Sequence, residues 1–286
     1  PARRQGEPLE QRHRDVARSA QAMYEEAFFA LLNALHAKYC CPNLALAGGC
    51  AMNSVANGKV YLKTPFRKLY LPAAAGDAGG AIGAAFVVHH RLAARNGEVA
   101  ETARIAGSTN LCAGGGRFHM RHAYVGPEFD DAEIRAVLEA RAAALRQQGC
   151  RVETITDDAA LCERTVRAIA DGKVVGWFQG RMEWGPRALG NRSILCDPRR
   201  ADMKDILNAK IKRRESFRPF APSILRERVA EWFEQDDDVP FMMQVFQVRA
   251  EKRALVPATT HVDGSGRLHT VSREANPLYY RLIERF

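Results

Sequence analysis

Between Gly180 and Ser193 the chain reads Gly180-Arg181-Met182-Glu183-Trp184-Gly185-Pro186-Arg187-Ala188-Leu189-Gly190-Asn191-Arg192-Ser193. Three glycines and a proline permit tight backbone turns beside a ligand. Arg181, Arg187 and Arg192 fall within twelve positions, and one carboxylate, Glu183, is placed to orient one of them. Guanidinium forks match phosphate or carboxylate oxygens bidentately, so the run reads as an anion-binding loop. Further on, Lys210, Lys212, Arg213 and Arg214 precede Phe217-Arg218-Pro219-Phe220. Taken alone, Lys212-Arg213-Arg214 reads as a solvated helix face.

Other candidates are weaker. Gly48-Gly49, after an apolar run and before Asn53, suits backbone cradling of a phosphate, yet glycine also marks any tight strand-to-helix turn. Gly76-Asp77-Ala78-Gly79-Gly80 lacks the spacing of a dinucleotide fingerprint. Asp77 reads as a metal ligand or, more simply, as a helix cap. His119 and His122 have H-x-x-H spacing without the further ligands a structural zinc site needs. Thr260-His261-Val262-Asp263-Gly264, with Arg267 beyond, is a polar turn that can add His261 and Arg267 to an anion pocket. No nucleophile elbow or Walker loop is present.

The elements that must position these groups follow from periodicity. Val16, Ala20, Met23, Ala27 and Leu31, widened by Phe28, Leu32 and Leu35, predict a helix over 12–38. Strands are expected at Leu44–Ala47 and Lys68–Leu71, and helices at Asn53–Leu62 and Ala81–Leu92. Strand, glycine turn and helix twice in succession is the grammar of an α/β domain. A glycine-rich stretch over 96–121 reads as a linker. Beyond it, Asp130 with Glu133, Asp157-Asp158 and Asp202 are expected to cap three helices. Strands are expected at Val174–Phe178, Phe241–Val248 and Leu268–Val271, and a last helix at Pro277–Phe286.

The 286 residues are 47% hydrophobic and 26% charged, which excludes a disordered tail or a small disulfide scaffold. The formal net charge is +9, and +7 of it lies in residues 181–228, where 13 Lys and Arg face 6 Asp and Glu. Such a patch suits a polyanion or a phosphorylated small molecule. No apolar run is long enough to span a membrane, and the N-terminal residues do not read as a signal peptide. Seven cysteines without a CxxC pair read as a reduced, cytoplasmic protein. Both ends read as cut, so a fragment is expected.

Gly180 to Leu195, followed by Lys210-Ile211-Lys212-Arg213-Arg214-Glu215-Ser216-Phe217-Arg218-Pro219-Phe220-Ala221-Pro222, resembles the O-carbamoyltransferases of antibiotic tailoring and nodulation-factor synthesis. Gly48 to Lys59 and Thr260 to Gly264 are similar to the same family. The resemblance implies an α/β protein of two domains. Residues 1–95 would be the C-terminal part of an ASKHA-type nucleotide and acceptor domain. Residues 122–286 would form an incomplete domain like the threonylcarbamoyl-adenylate synthase. It implies that carbamoyl phosphate is cleaved, that the carbamate attacks the α-phosphate of ATP, and that carbamoyl-adenylate then passes to an acceptor hydroxyl.

By position, the resemblance implies that Arg187, Lys212, Arg218 and Arg267 clamp carbamoyl phosphate and the adenylate, supported by Glu183, Arg192 and His261. Gly48, Gly49, Asn53, Gly79 and Gly80 fall in its nucleotide-binding region. Asp77 matches its metal-ligand aspartate, for Fe(II) or Mg(II), with the remaining metal ligands outside this chain. An Asn-Thr-Ser-Phe-Asn stretch is expected beyond Phe286, and the fragment alone is expected to be impaired. Expected partners are carbamoyl phosphate, ATP, a hydroxyl-bearing small molecule and a second copy of the chain. No membrane partner is expected, and nucleic acid is disfavoured. Two alternatives stand beside this reading: tRNA threonylcarbamoylation or hydrogenase maturation by the same carbamoyl chemistry, and a non-enzymatic nucleic-acid-binding module whose aromatics stack bases.

Overall fold

In the computed structural model, which describes residues 3–4, 6–95 and 120–286, the first element is a long helix, α1 (Gln11–Tyr39). It ends where Cys40 turns left-handed, with φ 51, ahead of Cys41-Pro42. Only Leu32 of its apolar stripe is buried, joining Leu44, Val60 and Phe66 in a small cluster. Val16, Met23 and Leu31 stay 67–70% exposed. Helical spacing thus locates the helix without identifying a fully buried face.

Strands β1 (Asn43–Ala45) and β2 (Lys68–Tyr70) pair in parallel, with Leu44 opposite Leu69. The helix expected over Asn53–Leu62 is divided into α2 (Ser54–Gly58) and α3 (Val60–Lys63), and a 3-10 turn at Gly49–Met52 precedes it. The Asn53 side chain caps α2 by accepting the Ala56 N–H at 3.1 Å. At the other end of α2, Gly58 lies against the backbone of Val245, where a Cβ would sit 1.9 Å from the carbonyl oxygen. Gly58→Ala is therefore expected to cost about 3 kcal/mol through overpacking, read as a lower denaturant midpoint. An unchanged midpoint would contradict this close approach. Helix α4 (Gly79–Arg95) completes the first half.

The second half opens with α5 (Asp131–Ala140), α6 (Ala142–Gln147) and α7 (Asp158–Ala170). The expected capping box is present: Asp130 accepts the Glu133 N–H and Glu133 accepts the Asp130 N–H. Asp157 likewise accepts the Ala160 N–H at 2.7 Å. Strand β3 (Val175–Phe178) pairs antiparallel with β4 (Arg192–Leu195), a hairpin that closes the arginine run and that alternation alone does not reveal. Helix α8 (Met203–Ile206) continues as a π-helical turn over Leu207–Ile211. Asp202 makes no capping bond to α8; its carboxylate is drawn instead to Arg200, 2.7 Å away.

The remaining elements are β5 (Ser223–Leu225), α9 (Val229–Trp232), β6 (Phe246–Gln247), β7 (Ser265–Gly266), β8 (His269–Val271) and α10 (Pro277–Arg285). β5 pairs with β8 in parallel, and β6 with β7 antiparallel. The strand expected over Phe241–Val248 is confined to β6. Met242 is left-handed, with φ 56, and the Val245 N–H donates at 3.0 Å to the Ser54 carbonyl of α2 rather than to a strand partner.

That last bond belongs to a core shared by both halves. Phe241, Met243 and Leu189 pack with Ala51, Leu71, Ala73 and Ala75. Asn57, fully buried, donates to the carbonyls of Ala51 at 2.8 Å and Met243 at 3.0 Å. The architecture is of the α/β class. Among the described residues no helix is long and apolar enough to cross a membrane. Apart from Met120 and Arg121, the expected linker lies outside the described residues, as does His119.

Candidate anion-binding site

The loop joining β3 to β4 is organised by one carboxylate. Glu183 Oε1 accepts the backbone N–H groups of Leu189 at 2.8 Å, Asn191 at 2.8 Å and Arg192 at 3.1 Å. Glu183 therefore folds the loop backbone rather than pairing with a loop arginine. Gly185, at φ 114, brings the loop against the first half, where a Cβ would meet the Ala73 carbonyl oxygen at 2.7 Å. Only glycine serves both that φ and that approach.

The three loop arginines have different fates. Arg181 is exposed and reaches toward Glu128 at 3.6 Å. Arg192 is spent on structure: it donates to the carbonyls of Gln179 at 2.6 Å, Asn191 at 2.9 Å and Gly180 at 3.0 Å, and its guanidinium lies 3.7 Å from the Phe178 ring centroid. Arg187 alone is unengaged. It is half-buried, its Nε has no hydrogen-bond partner, and burial holds its pKa below the ordinary guanidinium value.

Arg187 faces other cations. Arg267, between β7 and β8, has its pKa pushed down to about 10 by burial first, then by Arg187 and Arg214. Among the described residues no carboxylate offsets Arg187 or Arg267. Arg214 is steered into this group by the π-helical turn. Its Nε donates to the Asn208 Oδ1 at 2.8 Å, and its guanidinium stacks 5.0 Å from the Phe220 centroid. His261 adjoins the same group. Burial lowers its pKa, Arg267 and Lys204 lower it further, and Asp263 acts in the opposite direction. Its Nδ1 meets the Ser265 hydroxyl at 3.0 Å, and its buried Nε2 has no partner. Partly buried guanidiniums without a counter-charge are costly, and a bound polyanion is the natural complement.

Arg267 thus interacts with Arg187 and with His261, while Glu183 and Arg192 shape the loop. Arg218 and Lys212 are not among the charges acting on Arg267. Arg218 is exposed and paired with Glu215 at 2.8 Å, and Lys212 is exposed at the end of the π turn. Arg214 is the member that sequence reasoning left on a solvated face. The signals that single it out, the π turn and the left-handed Arg213 at φ 47, are properties of the folded backbone.

In the first half the two glycine turns meet. The Gly48 N–H donates to the Ala75 carbonyl at 2.6 Å, while those of Gly79 and Gly80 donate to Gly76 and Asp77 at 3.0 and 3.1 Å. Asn53, besides capping α2, exchanges hydrogen bonds with Gln21. Asp77 is exposed, and among the described residues no three His, Cys, Asp or Glu side chains gather as a metal-binding group. A single exposed carboxylate falls short of the ligand set a divalent cation requires, so these residues by themselves do not fit a metal centre.

A cavity of about 1030 Å³ opens where the halves meet, walled by Tyr70 and Leu71, by the segment Met120–Tyr124, and by Phe241, His269 and Asn276. It backs onto the arginine loop through Tyr124, whose hydroxyl donates to the Leu189 carbonyl at 2.6 Å.

Residues 166–286 match the carbamoyltransferase C-terminus family, and residues 2–86 match the carbamoyltransferase N-terminus family. An uncharacterized protein of Synechocystis sp. is 40% identical across the whole of this chain, which covers 46% of that relative. Nodulation protein NolO of Bradyrhizobium diazoefficiens is 41% identical over 99% of this chain and 48% of its own length. The 3'-hydroxymethylcephem-O-carbamoyltransferase of Amycolatopsis lactamdurans is 45% identical over 42% of this chain and 22% of its own. The chain spans about half the length of the first two of these relatives. Two family matches that between them contain the glycine turns and the unpaired arginines give one conclusion: this chain belongs to the carbamoyltransferase family.

Proposed function

We propose that the chain carries the carbamoyl-activating part of an ATP-dependent O-carbamoyltransferase. The observation that carries the reading is the group formed by Arg187, Arg214 and Arg267, held together without a carboxylate partner. In this reading the phosphate of carbamoyl phosphate lies among the three guanidiniums, which stabilise the charge on phosphate as it departs. Water hydrolyses the mixed anhydride, giving carbamate and inorganic phosphate; the carbamate oxygen then attacks the α-phosphate of ATP, forming carbamoyl-adenylate and releasing pyrophosphate. An acceptor hydroxyl next attacks the carbamoyl carbon and AMP leaves. Arg218 would exchange Glu215 for the substrate, and Lys212 would turn inward from the surface.

The finer architecture follows the same reading. The first half is the C-terminal part of an ASKHA-type domain, with Gly48, Gly49, Gly79 and Gly80 toward nucleotide. The second half is a domain like the threonylcarbamoyl-adenylate synthase. A hydroxyl-bearing small molecule as acceptor is supported by the hydroxymethyl group in the name of the cephem relative. A cytoplasmic setting is supported by the described cysteines, all of which are free.

Calorimetric titration tests the donor. Carbamoyl phosphate is expected to bind the chain more tightly than inorganic phosphate does, and a short RNA is expected not to bind at physiological salt. RNA binding that weakens steeply with salt, with no preference for carbamoyl phosphate, would overturn the reading.

A further inference from the structure

Three amide side chains, two of them buried and one half-buried, lie behind the arginine loop. Gln179 follows β3, Asn191 precedes β4, and Asn276 caps α10 by accepting the Tyr279 N–H at 3.2 Å. The Gln179 Nε2 donates to the Oδ1 of Asn276 at 2.8 Å and to that of Asn191 at 3.0 Å. The Asn276 Nδ2 donates to the same Asn191 oxygen at 2.8 Å, and the Asn191 Nδ2 donates to the Arg181 carbonyl at 2.7 Å. Asn191 and Asn276 are 6% and 5% exposed. These bonds tie both ends of the loop to the start of a helix some eighty-five positions away in sequence.

Such a tie answers a specific difficulty. Among the described residues the Arg187 Nε has no hydrogen-bond partner, and Arg187 and Arg267 repel as like charges. Glu183 holds the loop backbone from Leu189 to Arg192, and the amides fasten the two ends of the loop to α10. Amides suit the restraint because each offers both donor and acceptor, so three satisfy one another without charge. A carboxylate in the same place would pair with the arginines and compete with an incoming anion.

We propose that the Gln179–Asn191–Asn276 cluster is a positioning device that holds Arg187 against Arg267 and Arg214, and so sets the affinity of the pocket for a phosphorylated ligand. The proposal rests on the anion-pocket reading above. Asn276→Ser tests it, because serine keeps an oxygen to cap α10 but loses the donor to Asn191. Inorganic phosphate is titrated into the wild-type chain, Asn276→Ser, Arg187→Ala and the double variant, with thermal melts alongside.

Asn276→Ser is expected to weaken phosphate binding about tenfold, the effect of losing one well-placed hydrogen bond. In the Arg187→Ala background it is expected to do nothing further, since positioning an absent side chain has no value. Equal weakening in both backgrounds, or unchanged affinity when Asn276→Ser is made in the wild-type chain, overturns the proposal. If Arg187→Ala binds phosphate as the wild type does, the anion pocket itself fails, which is a separate result. Should Asn276→Ser fail to fold, Gln179→Met removes both Gln179 donors, leaves the α10 cap intact, and is expected to give the same non-additive pattern.

Discussion

Arg267→Ala is expected to weaken carbamoyl phosphate binding by roughly 30- to 150-fold, equivalent to about 2–3 kcal/mol, while leaving the thermal midpoint unchanged or higher. The two directions follow from one fact. In the free chain Arg267 is a partly buried cation repelled by Arg187 and Arg214, and burial first, then those charges, bring its pKa down to about 10. Removing it relieves desolvation and repulsion at the expense of some packing by its stem. With phosphate present the same charge gains a partner in a site screened from water, where a charge-assisted hydrogen bond is strong. A structural arginine such as Arg192, with three carbonyl acceptors, would lose stability on the same substitution. Calorimetry beside a thermal melt checks both halves. A large loss of stability with unaltered affinity would make Arg267 a structural residue.

Glu183→Ala is expected to be among the most destabilising substitutions in the second half, costing at least about 3 kcal/mol. One carboxylate oxygen satisfies three backbone N–H groups at 2.8–3.1 Å, and alanine would leave all three without that acceptor. Glu183→Gln retains an oxygen at the same reach and is expected to lose no more than about 1 kcal/mol, the difference between charged and neutral acceptors. The predicted order, Ala far below Gln, is read from urea midpoints at constant slope. Equal losses for both would mean that the charge of Glu183, rather than its geometry as an acceptor, matters to the fold.

The contrast between Glu183 and Asp202 shows where local reasoning reaches. Asp130 with Glu133 and Asp157 act as caps because a helix start needs an acceptor within three residues, a requirement met by near neighbours. Asp202 meets the same rule, yet Arg200 takes its carboxylate. The apolar pattern likewise located β1, β2 and β3, whose residues alternate or run apolar over a few positions. It missed β4, because Arg192 to Leu195 becomes a strand only by pairing with Val175 to Phe178.

The site divides in the same way. Sequence alone determined the α/β class and made the loop between Gly180 and Ser193, with Arg187 and Arg267, the candidate for anion binding, since residue type and glycine spacing are local properties. Tertiary structure decided which cations converge. It consumed Arg192 on carbonyls, turned Arg218 to Glu215, and held Arg214, just beyond a π-helical turn, against Asn208 and Phe220. A guanidinium sits on a long, flexible stem, so its destination depends on which acceptors the fold places within reach. Among the described residues no carboxylate acts on Arg187 or Arg267, and that unmet charge is what makes them the candidates for the pocket.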